Sequence, residues 1–142
     1  MSNQERQNLL VSLDEELLLG GVVLSEWCAF MIRESDNAFV DGLYLASIVT
    51  AMSAIETHLR SEDATAKKKR LVELIDSSGL ESDLMRQLHA LRKYRNKWVH
   101  VDDPWEDESL IQYPEKHENE LEQMAFIAVK ALRQTVYSNP WV

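Results

Sequence analysis

From about Leu13 to Val136 the apolar residues of this chain recur every three or four positions, and few stretches alternate as a strand would. That period puts one apolar stripe on each of several helices, which can be buried only against other helices. The expected fold is therefore all-α, an up-and-down type bundle of about five helices joined by polar breaks. With 142 residues, the chain fits a single helical domain, residues 1–142, with its core over about 12–136. A domain of this size hides about two-thirds of the surface its unfolded form exposes.

The breaks set the expected boundaries. Ser12-Leu13-Asp14-Glu15 has the form of a capping box, so the first helix is expected over Leu13–Arg33, burying Leu17, Leu24, Trp27, Cys28 and Met31. Gly20-Gly21 lies inside it at a cost of roughly 1 kcal/mol per glycine, which predicts a bend or a tight crossing. A second, central helix over about Phe39–Arg60 carries Leu43, Ala46, Ile48, Ala51, Met52, Ile55 and Leu59 on its apolar face. Small residues at Ala46, Ser47, Ala51 and Ala54 would let a neighbour approach closely. Lys67-Lys68-Lys69-Arg70 opens a shorter helix with Leu71, Leu74 and Ile75, ended by Ser77-Ser78-Gly79. The fourth helix runs from about Glu81 to Val99 or His100, stopped before Pro104. After a long loop through Tyr113-Pro114, a fifth begins near Glu115 or Lys116 and carries Leu121, Met124, Ala125, Ala128, Val129, Leu132 and Val136.

One of these stripes contains a charge. Leu84, Leu88, Leu91, Arg95 and Trp98 are spaced 4, 3, 4 and 3 residues apart and share a face. A guanidinium does not lose its charge in a protein, and burying it unpaired is costly. Arg95 must therefore either meet a carboxylate, such as Glu56, or line a cleft or subunit seam reached by solvent or an anion. Asn96 and His100 are four apart, while His100 stands five beyond Arg95, about 140° around an ideal helix. Convergence of Arg95 with His100 then needs an unwound last turn, a long reach by the arginine, or a second copy of the helix.

The string Arg95-Asn96-Lys97-Trp98-Val99-His100 resembles the signature of HEPN domains, small helical domains of many prokaryotic toxin, defence and RNA-processing systems. The resemblance implies a core of four or five helices, frequently homodimeric, with the signature late in the chain and both copies facing one composite cleft. It also implies a metal-independent endoribonuclease leaving 2',3'-cyclic phosphate and 5'-hydroxyl ends. In that scheme His100 assists proton transfer, Arg95 neutralises the phosphate, Asn96 orients the histidine or donates to the phosphate, and Glu56 orders Arg95. Glu56 resembles the acidic position that several family members carry on their second helix. Many family members resemble binding or regulatory modules instead, so an inactive interaction module is the alternative.

Charge bears on both readings. The net charge of -9 argues against broad nucleic-acid binding. Its distribution is uneven: residues 1–60 and 100–142 each carry nine acids and three bases, whereas residues 61–99 carry six acids and nine bases. Arg92, Lys93 and Lys97 around the signature, with Lys67, Lys68, Lys69 and Arg70, are the candidate RNA-backbone contacts. The tetrad reads first as a solvated face, with phosphate contact or a match for a partner's acidic patch as the alternatives. RNA, a second copy of the chain and an antitoxin-like protein are the partners to expect.

Other chemistry finds little footing. His58, His89 and His117 share no metal-ligand spacing, and the sequence holds no HExxH and no paired ExxH set, so neither metal nor cofactor is expected. Cys28, the one cysteine, reads as a small core residue and excludes an intramolecular disulfide. Tyr94 and Trp98 read as packing residues, or as a stacking surface for bases. Trp105 and Trp141 either seal the domain or belong to a dimer seam. The longest nearly apolar run, Leu43–Ile55, has thirteen residues, too few to span a bilayer. The polar start, without a basic stretch leading into an apolar one, gives no secretory signal, and a cytoplasmic location is expected.

Overall fold

The computed structural model describes residues 1–105 and 108–139. Among these residues the fold is all-α, with no strand, but it has seven helices and not about five. They are α1 (Asn3–Leu17), α2 (Glu26–Val40), α3 (Tyr44–Ser61), α4 (Leu71–Asp76), α5 (Ser82–Val99), α6 (Ser109–Gln112) and α7 (Pro114–Val136), with a 3-10 turn over Ala66–Lys68 before α4.

The largest correction falls on the first helix. The expected single helix over Leu13–Arg33 is two helices, separated by the stretch 18–25 that contains Gly20-Gly21. The helix starts are made by other serines: Ser2 Oγ accepts from the Glu5 amide at 3.1 Å and Ser25 Oγ from the Cys28 amide at 3.1 Å. Ser12 caps nothing and, inside α1, donates back to the Asn8 carbonyl at 2.9 Å. With α2 in this register its buried residues are Cys28, Ser35 and Phe39. Trp27, expected in the core, is one residue off that face and 68% exposed.

The second expected boundary also moves. Phe39 belongs to α2 and is fully buried, and the chain turns at Gly42, whose φ is +77°. A side chain here would be strained by the backbone and would press on the Arg6 guanidinium at 3.4 Å. Leu43 therefore precedes α3 and is exposed.

Helix α3 is the central helix. Ile48, Ala51, Met52, Ala54 and Ile55 are fully buried, and α3 packs mainly against α2 and α7. The close approach expected from small residues occurs at Ser47, which donates to the Ser35 carbonyl at 3.0 Å while Ser35 Oγ donates to the Ser47 carbonyl at 2.9 Å. From α7, Ala125, Ala128, Val129 and Leu132 close the other side. Two arginines also sit in this bundle. Arg6 is bonded to Tyr44, Asn3 and the Val40 and Met1 carbonyls, and Arg133 is bonded to Asp14 and Asp36.

The basic tetrad does not open a helix. Lys67 and Lys68 lie in the 3-10 turn, Lys69 follows it, and Arg70 immediately precedes α4, whose Leu71, Leu74 and Ile75 are buried as expected. No described helix is long and apolar enough to cross a membrane.

Candidate functional site

Helix α5 carries the interrupted seam to the edge of the core. Leu88 and Leu91 are fully buried, Leu84 and Trp98 are half-buried against the core, and Arg95 is half-buried. Toward its end α5 rests on the beginning of α7 through aromatic contacts. The Trp98 ring meets His117 edge-on at 5.6 Å and Tyr94 at 6.5 Å. Lys97 lies over the Tyr94 and Trp98 rings at 5.1 and 5.9 Å and pairs with Glu120 at 3.5 Å. Burial pushes the Tyr94 phenol up to about 12, so it is protonated at neutral pH. This surrounds Tyr94 and Trp98 with protein, as the packing reading expects.

Arg95 faces out of this cluster and is held by its neighbour. Its Nε and Nη2 both donate to Asn96 Oδ1, at 3.2 and 2.8 Å. No described carboxylate pairs with it. Glu56 is not brought to Arg95; it pairs with Arg60, one turn on in α3, at 3.7 Å. The guanidinium is thus steered by a neutral amide that leaves its charge uncompensated.

His100 stands just beyond α5. Its amide still donates to the Asn96 carbonyl at 2.9 Å, but its φ of -127° and ψ of 73° have left the helix. The 140° offset of an ideal helix therefore does not govern where the imidazole goes. The side chain is exposed and makes no hydrogen bond or ion pair with described residues. Asn96 is the link between the two: its side chain holds Arg95 and its carbonyl anchors the His100 backbone.

The candidate RNA contacts divide into free and engaged cations. Lys93, Lys67 and Lys68 are exposed and make no ion pair among the described residues, and Arg92 is half-buried with its Nε unpartnered. Lys69 pairs with Asp63 at 2.8 Å and Arg70 with Glu73 at 3.1 Å. The Lys69 ammonium and the Thr65 hydroxyl and amide hold the Asp63 carboxyl down to about 2.

The remaining candidates are accounted for by packing. Burial pushes the Cys28 thiol up to about 11, and its Sγ donates to the Ala54 carbonyl at 3.6 Å, so it is a protonated core residue. His89 pairs with Asp76 at 2.8 Å. Among the described residues no three His, Cys, Asp or Glu side chains gather as a metal-binding set. Trp105 is 92% exposed, so it does not seal the domain; Trp141 lies outside the described residues.

Sequence reasoning missed Arg133, the most deeply buried ion-pair partner among the described residues at 2% exposure. The signal was present: Arg133 is four residues after Val129, as Arg95 is four after Leu91. Compared with known proteins, the chain matches no family model, no curated protein and no solved structure.

Proposed function

We propose that the chain is a metal-independent endoribonuclease of the HEPN type, working as a homodimer and cleaving RNA to 2',3'-cyclic phosphate and 5'-hydroxyl ends. The observation that carries this reading is Arg95, a half-buried cation on an apolar seam whose partner is the neutral Asn96 amide. An uncompensated guanidinium fork suits a phosphodiester, whose oxygens gain charge as the 2'-oxygen attacks phosphorus. His100, exposed beside it in sequence, exchanges the protons. One imidazole takes the proton from the 2'-hydroxyl, and one gives a proton to the departing 5'-oxygen. A dimer that brings two copies into one cleft supplies both. Asn96 holds the arginine fork, and Glu56, occupied by Arg60, takes no direct part.

Exposed apolar residues support the second copy. Trp105, Leu110, Ile111 and Tyr113 follow the signature and are all exposed, with Ile111 at 82%. Lys93, Lys67 and Lys68 serve as backbone contacts, and the net charge of -9 restricts the enzyme to a narrow set of RNAs. The same apolar residues also suit an interaction module that docks an antitoxin-like or regulatory protein.

Cleavage of mixed RNA in the presence of a chelator separates the two. The enzyme reading expects wild type to release cyclic-phosphate ends and His100→Ala to release none. Equal cleavage by both proteins, or none by either, leaves the interaction module.

A further inference from the structure

A cavity of about 540 Å³ opens at the other end of α5, between the last turns of α3 and α7 and the turn that leads into α5. Leu84 lines it, eleven residues and about 16 Å of helix from Arg95, so it is separate from the signature. Its walls are a mixture of leucines and polar groups.

Two of the polar groups lack partners. His58 is only 7% exposed, lines the cavity, and its ring makes no hydrogen bond among the described residues. Gln134 also lines the cavity, and its Oε1 is buried without a partner. The Gln134 oxygen is shut off from solvent, whereas the His58 ring nitrogens are not, so the unpartnered imidazole is the group that can accept from whatever enters the cavity.

The polarity of the lining selects the chemistry. Every hydroxyl here has already given its proton to the protein. Ser78 donates to Ile75 and Ser138 to Thr135, both at 2.7 Å, and Thr135 donates to Ala131 and Tyr137 to Asp14, both at 2.8 Å. These oxygens are left as acceptors only, and Ser78 Oγ already accepts from the Leu80 amide at 3.2 Å. Glu62 and Glu81 add two carboxylates, and no lysine or arginine among the described residues lines the space. Burial lowers the His58 imidazole, against the opposing pull of Glu62, so the ring is neutral at pH 7 and offers an acceptor nitrogen. The cavity is thus rich in acceptors, negative at its carboxylates, and apolar along Leu17, Leu59 and Leu84.

We propose that this cavity binds a small organic cation, a primary amine or guanidine carried on a short apolar stem. The head group donates to the acceptor nitrogen of His58 while Glu62 and Glu81 balance its charge. The stem lies on the leucines. A bare metal ion does not suit the donor set, because among the described residues no three His, Cys, Asp or Glu side chains converge. This site is independent of the proposed cleavage chemistry.

Titration of the isotope-labelled full chain by NMR tests it, using butylguanidinium and butylammonium as probes and butyrate and butanol as controls of similar shape. The expected result is saturable shifts at His58 and Gln134 with the two cations and not with the controls. Glu62→Gln, at an exposed position, should leave the spectrum folded and weaken cation binding about tenfold, while Glu5→Gln on α1 should leave it unchanged. Absence of saturation with either cation, an equal response to butyrate, or undiminished affinity in Glu62→Gln overturns the proposal.

Discussion

Arg95 and Asn96 are adjacent in sequence, and the arginine turns back to place both Nε and Nη2 on the asparagine Oδ1, at 3.2 and 2.8 Å. The contact fixes the direction of the guanidinium without cancelling its charge. Asn96→Asp keeps the shape and adds a carboxylate, so it should neutralise Arg95 and reduce RNA cleavage by about a hundredfold, in the range of a lost electrostatic stabiliser. Asn96→Ala frees the fork but leaves its charge and should cost less activity. Single-turnover cleavage of labelled RNA, with circular dichroism as a check on folding, ranks the two. A larger loss in Asn96→Ala would mean that asparagine acts on substrate or histidine and not through the charge of Arg95.

A second arginine is treated in the opposite way. Arg133 gives Nη2 and Nη1 to Asp36 at 2.8 and 3.0 Å and Nε to Asp14 at 2.8 Å, tying α7 to α2 and α1. Removing one partner of a buried pair strands the other charge, so Arg133→Met should lower stability by about 3 kcal/mol in urea unfolding. The figure is at the low end of the range because Asp14 remains in contact with water. Exchanging Arg133 and Asp36 together for leucines should recover a large part of the loss, since neither charge is then left alone. If the double variant is as unstable as the single one, packing and not charge accounts for the effect.

These two arginines show what the sequence could and could not supply. Periodicity located the seams of α3, α4, α5 and α7, because those helices bury continuous leucine, isoleucine and alanine stripes. It ran α1 and α2 together because the apolar residues at Leu17, Leu18, Leu19, Val22, Val23 and Leu24 maintain a helical look across the gap, although Gly20-Gly21 and the Ser25 cap interrupt the backbone. Local capping is decided by which serine reaches an open amide, and Ser12 and Ser25 look alike until the third dimension chooses. The interrupted seam showed that Arg95 would be special, but the choice of Asn96 over Glu56 depends on side-chain reach between helices, which spacing does not encode. The cavity beside His58 was out of reach for the same reason, since its lining comes from four separate stretches of chain.

The buried histidine has a consequence for stability. Burial lowers His58 below its usual value of 6.5, so beneath that pH the unfolded chain binds more protons than the folded one. Stability should therefore be full above about pH 6.5, fall as pH drops through the window down to the folded value, and level off below it. Urea midpoints measured between about pH 7 and pH 5 should show this slope, and His58→Gln should flatten it. An identical slope in the variant would show that His58 is not its source.

In the proposed enzyme the exposed apolar residues after Val99 matter through assembly. Ile111 and Trp105 project from the segment that joins His100 to α7, and both are almost wholly exposed. Burying side chains of this size against a second copy would stabilise a dimer and set two signatures near one seam. Ile111→Asp should therefore shift sedimentation from dimer to monomer and reduce cleavage together, with circular dichroism unchanged because the residue supports no core contact. A wild-type chain that sediments as a monomer while cleaving RNA at full rate would separate catalysis from assembly and require Arg95 and His100 of one chain to suffice.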